Sequence, residues 1–143
     1  AKAFGMDIVA YDPYVKSSDY ATMISSLKDV FKNADYVSMH MPLTDETKGI
    51  INSEMLTHFK DGAFLINTGR GKTVVEEDVV IALNSGMLAG FGNDVWYSDP
   101  PENSPIINAP NVLLMPHLGA STKENLGRIS DIIVELIDGF INR

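Results

Sequence analysis

The apolar positions of this chain fall into short continuous runs separated by segments with helical spacing. Met6 to Tyr11, Tyr36 to His40, Ala63 to Ile66, Gly90 to Trp96 and Val112 to Met115 are too short for buried helices and alternate little. That pattern predicts strands buried on both faces. Between them, 22–33 reads as a helix, Ser53 caps a short helix running to Phe59, and a helix over 76–85 is closed by Gly86. The last segment carries a capping box, Ser121 with Glu124, followed by Leu126, Ile129, Ile133, Leu136, Ile137 and Phe140 at helical intervals. Apolar strands alternating with helices predict an α/β fold with a parallel sheet covered on both faces.

The first residues, Ala1 to Phe4 before Gly5, lack an initiating Met and an N-cap residue. They read as the last turn of a helix closed by a C′ glycine, so the chain is expected to begin inside a domain.

Length and charge narrow the function. A chain of 143 residues suits one domain with its own core. A net charge of −8, with no cluster of Lys and Arg, excludes a duplex-binding surface and disfavours anionic membranes. Cysteines are absent, and the three histidines, His40, His58 and His117, form no ligand spacing, so no metal site is expected. No signal peptide or membrane-length apolar run is visible, which makes a cytoplasmic protein the expectation.

Ligands of parallel sheets bind beyond the C-terminal ends of the strands. Asp12, His40-Met41-Pro42, Asn67 to Gly71, Asp94 and His117 to Ala120 occupy those positions in series. Asp12, before Pro13, reads either as a turn-starting residue or as an acceptor for ribose hydroxyls. Arg70, between Gly69 and Gly71, reads as a structural ion-pair partner or as a bidentate clamp for a carboxylate. His117, between Pro116 and Leu118, reads as a strand-end histidine or as a general acid/base. Asp99 and Glu102 are candidates for the carboxylate that would hold its tautomer, with Asp94 a third. His40 reads as a structural turn residue and His58 as exposed.

Three stretches carry a family resemblance. Ala34 to Thr44, Leu65 to Gly71 and Pro116 to Thr122 occur in the order and spacing of the D-isomer-specific 2-hydroxyacid dehydrogenases, and the chain resembles that family along essentially its whole length. The last stretch, Pro-His-Leu-Gly-Ala-Ser-Thr, is most similar to the phosphoglycerate dehydrogenase branch. The resemblance implies a Rossmann-type doubly wound sheet, NAD as cofactor, a small 2-hydroxyacid or 2-oxoacid as substrate, and a homo-oligomeric parent. It implies that Asp12 binds the adenosine ribose and that Met41 and Pro42 line the adenosine side. Thr68, Gly69 and Arg70 would approach the nicotinamide, Asp94 would bond its carboxamide, and His117, Leu118, Gly119 and Ala120 would close over it. Arg70 would clamp the substrate carboxylate and His117 would exchange the proton.

Two departures from the family stand out. Asp99, in Asp99-Pro100, occupies the place of the family's Glu, one methylene shorter. The family's Gly-x-Gly-x-x-Gly loop and first strand are absent, as is the substrate domain, so residues 1–143 are expected to form a partial dinucleotide-binding domain. The strand before Asp12 would then be the second of the fold and the one before His40 the fourth, with a gap between them that leaves the isolated chain unstable, paired with another strand, or weak for NAD. Corepressors of the same family keep the Arg and His, so a non-catalytic NAD sensor is the alternative function.

Overall fold

The computed structural model describes residues 1–142. Six strands, β1 (Val9–Ala10), β2 (Thr22–Met23), β3 (Tyr36–Met39), β4 (Ala63–Asn67), β5 (Leu88–Asn93) and β6 (Val112–Leu114), are joined through four helices. These are α1 (Leu27–Asn33), α2 (Ser53–Leu56), α3 (Glu76–Ser85) and α4 (Lys123–Ile141), with short 3₁₀ turns at Lys2–Phe4, Gly71–Thr73 and Pro105–Asn108. All strand pairings are parallel.

The strands form two sheets, β1-β2 and β3-β4-β5-β6. Among the described residues no ladder joins β1 to β3, which is where the sequence places a gap. Four parallel strands in consecutive order require every connection to cross the same face in the same sense. That face holds the core: Phe31 of α1, Leu56 of α2, Val79 and Leu83 of α3, and Ile106 pack on Val37, Met39, Leu65 and Phe91.

The expectation of cover on both faces is met on one. On the opposite face Tyr36, Phe64 and Leu113 are 58%, 39% and 71% exposed. There the Tyr36 and Phe64 rings stack, 5.1 Å between centroids. A β-carbon on Gly90 would lie 3.0 Å from the Phe64 ring, so the side chain absent from β5 makes room for that aromatic. Helix α4 buries no residue, and its apolar stripe from Leu126 to Phe140 faces solvent.

Several boundaries move. The helix expected over 22–33 divides into β2 and α1, because Thr22 and Ile24 donate to Ile8 and Ala10 carbonyls. Asn52 rather than Ser53 caps α2, its side chain accepting from Met55 N at 3.0 Å, and the α-helix stops at Leu56. Thr122 rather than Ser121 caps α4, accepting from Asn125 N at 3.2 Å. The strand expected from Gly90 begins at Leu88 and ends at Asn93. Gly5 and Gly86 close their turns in the left-handed region, at φ 75° and 78°, where a β-carbon is strained.

Candidate functional site

Parallel strands end together, so their C-terminal residues share one edge. In register, Met39, Asn67 and Asn93 lie side by side across β3, β4 and β5. The residues that follow each of them are Asp94, the Thr68-Gly69-Arg70 turn, and His40 with Met41.

The turn after β4 is fixed from below. Buried Asn67 accepts from Gly69 N at 3.1 Å and donates through Nδ2 to Arg70 O at 3.1 Å, while Thr73 Oγ1 donates to the same carbonyl at 2.6 Å. Glycine is required at both flanking positions by close approach. A β-carbon on Gly69 would meet Met41 O at 2.8 Å, and one on Gly71 would meet the Trp96 carbonyl at 2.2 Å. The Arg70 side chain is exposed and bends back, Nη1 donating to Gly69 O at 2.7 Å. No carboxylate pairs with it among the described residues.

The segment after β6 carries His117 at φ 57°, in the left-handed region. Backbone strain of this kind persists only where surroundings over-determine it. Here Asp94 does so: its Oδ1 accepts from Leu118 N at 2.7 Å and its Oδ2 from Gly119 N at 2.8 Å. Trp96 Nε1 donates to Met115 O at 3.0 Å, tying the start of the same segment to the exit of β5. The expected carboxamide partner, Asp94, thus has both oxygens engaged in holding the histidine loop.

His117 Nδ1 lies 2.7 Å from Asp99 Oδ2. The shorter Asp in the family's Glu position therefore reaches the ring, whereas Glu102 stands exposed with its backbone N–H on Ser98 Oγ. A neutral ring donating from Nδ1 to the carboxylate leaves Nε2 as a basic acceptor, and the protonated ring keeps the same partner. Asp99, Pro100, Pro101, Pro116, His117 and Ala120 line an open cavity of about 430 Å³. Arg70 is not among its lining residues; it belongs to the neighbouring turn, which touches this region through Gly71 and Trp96.

Asp12 is exposed after β1, and Oδ1 accepts from Tyr14 N at 2.8 Å and Val15 N at 3.0 Å. It is therefore a turn-forming Asp, and among the described residues Oδ2 has no hydrogen-bond partner. Met41 is half-buried and Pro42 exposed beside the Gly69 turn, and Leu118, Gly119 and Ala120 are exposed. His58 is half-buried, not exposed. Sequence reasoning placed Asn67 at a strand end but gave it no part in supporting the Arg70 turn; a polar residue closing an apolar strand directly before a glycine-flanked turn was the available signal. Among the described residues no group of His, Cys, Asp and Glu could hold a metal, and no helix is long and apolar enough to cross a membrane.

Residues 1–119 match the NAD binding domain of the D-isomer specific 2-hydroxyacid dehydrogenases. The chain is 39% identical over 140 residues to a hydroxypyruvate reductase of Thermotoga maritima, covering 96% of this chain and 46% of that protein. It is 35% identical to a D-3-phosphoglycerate dehydrogenase of Methanocaldococcus jannaschii, covering 96% of this chain and 27% of that one. A crystal structure of D-lactate dehydrogenase from Aquifex aeolicus, complexed with NAD and lactic acid, superposes with a TM-score of 0.88 at 31% identity, over 99% of this chain and 48% of the other. The chain thus spans less than half the length of these relatives. It belongs to the D-isomer-specific 2-hydroxyacid dehydrogenase family, within its NAD-binding domain.

Proposed function

We infer that this chain is the cofactor-binding part of an NAD-dependent D-2-hydroxyacid dehydrogenase that interconverts a 2-hydroxyacid and a 2-oxoacid. The observation that carries the reading is the His117–Asp99 pair, 2.7 Å apart, on the wall of a cavity at the C-terminal edge of the sheet. When bound, NAD supplies the hydride chemistry at its nicotinamide ring. The protein's part is to bind, orient and move a proton. His117 Nε2 takes the proton of the substrate hydroxyl in oxidation and returns it to the carbonyl oxygen in reduction. Asp99 holds the ring in the tautomer that leaves Nε2 free and stabilises it once protonated. Asp94 holds the loop that aims the ring. Arg70 presents a guanidinium that can leave its own Gly69 carbonyl for the two oxygens of a substrate carboxylate. Asp12 favours an unphosphorylated ribose, since a carboxylate there repels a 2′-phosphate.

Among 2-hydroxyacids the finer reading is D-3-phosphoglycerate, supported by the Pro116 to Thr122 stretch and by the D-3-phosphoglycerate dehydrogenases among its relatives. Steady-state kinetics of the full-length protein test it, with NAD and NADP against D-3-phosphoglycerate, D-glycerate, D-lactate and hydroxypyruvate. NAD-dependent turnover is expected, abolished in His117→Ala and with a raised KM in Arg70→Lys. Turnover that survives His117→Ala at near-normal kcat overturns the assignment. NAD binding with no turnover of any 2-hydroxyacid points instead to a cofactor-sensing protein.

A further inference from the structure

We propose that His40 is a positioning residue of the cofactor site: its imidazole bridges the Ser38 and Thr68 hydroxyls and fixes the turn that presents Thr68, Gly69 and Arg70. The inference rests on the reading above that this turn faces the nicotinamide half of NAD.

His40 follows the last residue of β3, and Thr68 follows its register partner on β4. The ring spans the two strand ends, with Nε2 at 2.9 Å from Ser38 Oγ and Nδ1 at 3.1 Å from Thr68 Oγ1. Thr68 also donates from its backbone N–H to Met39 O at 3.3 Å, with Oγ1 3.4 Å from that same carbonyl. A neutral imidazole donates through one nitrogen and accepts through the other. The Met39 carbonyl can only accept, so it draws the Thr68 O–H. The consistent arrangement then runs one way: Ser38 O–H to Nε2, Nδ1–H to Thr68 Oγ1, Thr68 O–H to Met39 O. Both ring nitrogens and both hydroxyl protons are used, which holds the Thr68 side chain in one rotamer.

The neighbouring backbone leaves the turn little room to shift. Gly69 packs so closely on His40 and Met41 that a β-carbon would sit 2.8 Å from Met41 O. Asn67 fixes the turn from inside the sheet through Gly69 N and Arg70 O. His40 supplies the tie from the β3 side, on the exposed side of the turn. Ser38, in turn, stops the imidazole from rotating about its Cβ–Cγ bond.

The geometry separates the two nitrogens. In His40→Asn the amide NH₂ falls near Nδ1 and can still donate to Thr68, while Ser38 loses its partner. In His40→Gln the longer amide falls near Nε2, and Thr68 loses its partner. NADH dissociation constants are measured by fluorescence on the full-length protein, beside thermal midpoints. His40→Gln and His40→Ala should weaken NADH by about 3- to 10-fold, the size of one lost neutral hydrogen bond, and His40→Asn by less than about twofold. Thr68→Val should weaken NADH to the same degree, and adding His40→Ala to it should cost nothing more, as expected of two residues acting through one contact. If Thr68→Val weakens NADH and His40→Ala does not, the positioning role fails while the site reading stands. If neither Thr68→Val nor Arg70→Ala changes NADH affinity or turnover, the site reading itself fails. If Asn and Gln variants lose affinity equally and in step with their thermal midpoints, His40 is a structural residue only. Should His40→Ala not fold, the Asn and Gln pair carries the comparison.

Discussion

The α-carbon of Gly71 lies so close to the backbone of Trp96 that a β-carbon there would stand 2.2 Å from the Trp96 carbonyl carbon and oxygen. This approach joins the turn bearing Arg70 to the segment between Asp94 and Asp99. Gly71→Ala must push the two apart, and Trp96 is itself buried, with its indole N–H on Met115 O at 3.0 Å. The strain is expected to cost on the order of 1–3 kcal/mol, in the range of an overpacked core. Chemical denaturation checks it through a lower midpoint at unchanged slope. A variant as stable as the wild type would show that the segments can separate freely.

The brace between Asp94 and the histidine loop gives a second expectation. Two backbone N–H groups, of Leu118 and Gly119, converge on one carboxylate at 2.7 and 2.8 Å. Bonds to a charged acceptor are each worth about 1.5–3 kcal/mol. Asp94→Asn turns one acceptor into a donor facing a donor, so the left-handed His117 conformation loses half of its support. In the full-length enzyme kcat should fall roughly 10-fold or more, about 1.4 kcal/mol of lost positioning, with NADH affinity much less affected. The reverse split, a large loss of NADH affinity at preserved kcat, would assign Asp94 to the carboxamide instead.

Much of this site was legible in the chain because strand ends in a parallel sheet share an edge. Arg70, Asp94 and His117 could be placed there from apolar runs and the residues that follow them, whereas Asp12 ends a strand of the separate β1-β2 sheet and Asp99 was one of three candidate carboxylates, singled out by the family resemblance. Four things were hidden. Phe64-Leu65-Ile66 is apolar throughout, so no alternation marks Phe64 and Ile66 as lying on an open face while Leu65 is buried. Thr22 and Met23 sit in a helix-like window, and only their pairing with residues 9 and 10, far off in sequence, makes them a strand. The choice between Ser121 and Thr122, or Asn52 and Ser53, as cap depends on which side chain reaches a backbone N–H, and adjacent candidates have the same composition signal. The His40 tie was hidden for a related reason: Ser38 and Thr68 become neighbours only through register.

Glu76 opens α3 and is only 5% exposed. Burial pushes its carboxyl above its ordinary value of 4.5, and the nearby Glu77 charge adds to this while the Ser104 hydroxyl opposes it. A carboxyl with a raised folded-state pKa stabilises the fold when protonated. That contribution is complete below pH 4.5 and is lost as pH rises through the elevated folded value. Glu76→Gln keeps the shape of the protonated form. It should be more stable than the wild type at neutral pH, with the difference shrinking towards zero below pH 4.5. Urea midpoints across pH 4–7.5 measure this, and a difference that does not depend on pH would remove the linkage.

The two sheets should also differ in dynamics. No residue before Phe31 is buried, and β1 and β2 are two residues each, held by bonds such as Thr22 N to Ile8 O at 2.9 Å and Ile24 N to Ala10 O at 2.8 Å. The four-stranded sheet carries the core, with Leu65 wholly buried and Phe91 nearly so. Local opening free energies follow buried apolar contact, from near zero at unsupported segments to the global value in core strands. Among the described residues β1 pairs on one side with β2 and β3 on one side with β4, so neither sheet lends the other a hydrogen-bonded edge. In hydrogen exchange on the 143-residue chain, the amides of Thr22 and Ile24 should exchange orders of magnitude faster than those of Leu65 and Phe91. An added strand that paired with both β1 and β3 would raise the protection of the N-terminal pair towards that of the core, since both sheets would then open together. Equal protection of the two sheets in the chain by itself would show that they already fold as one unit and that the break between β1 and β3 has no energetic consequence.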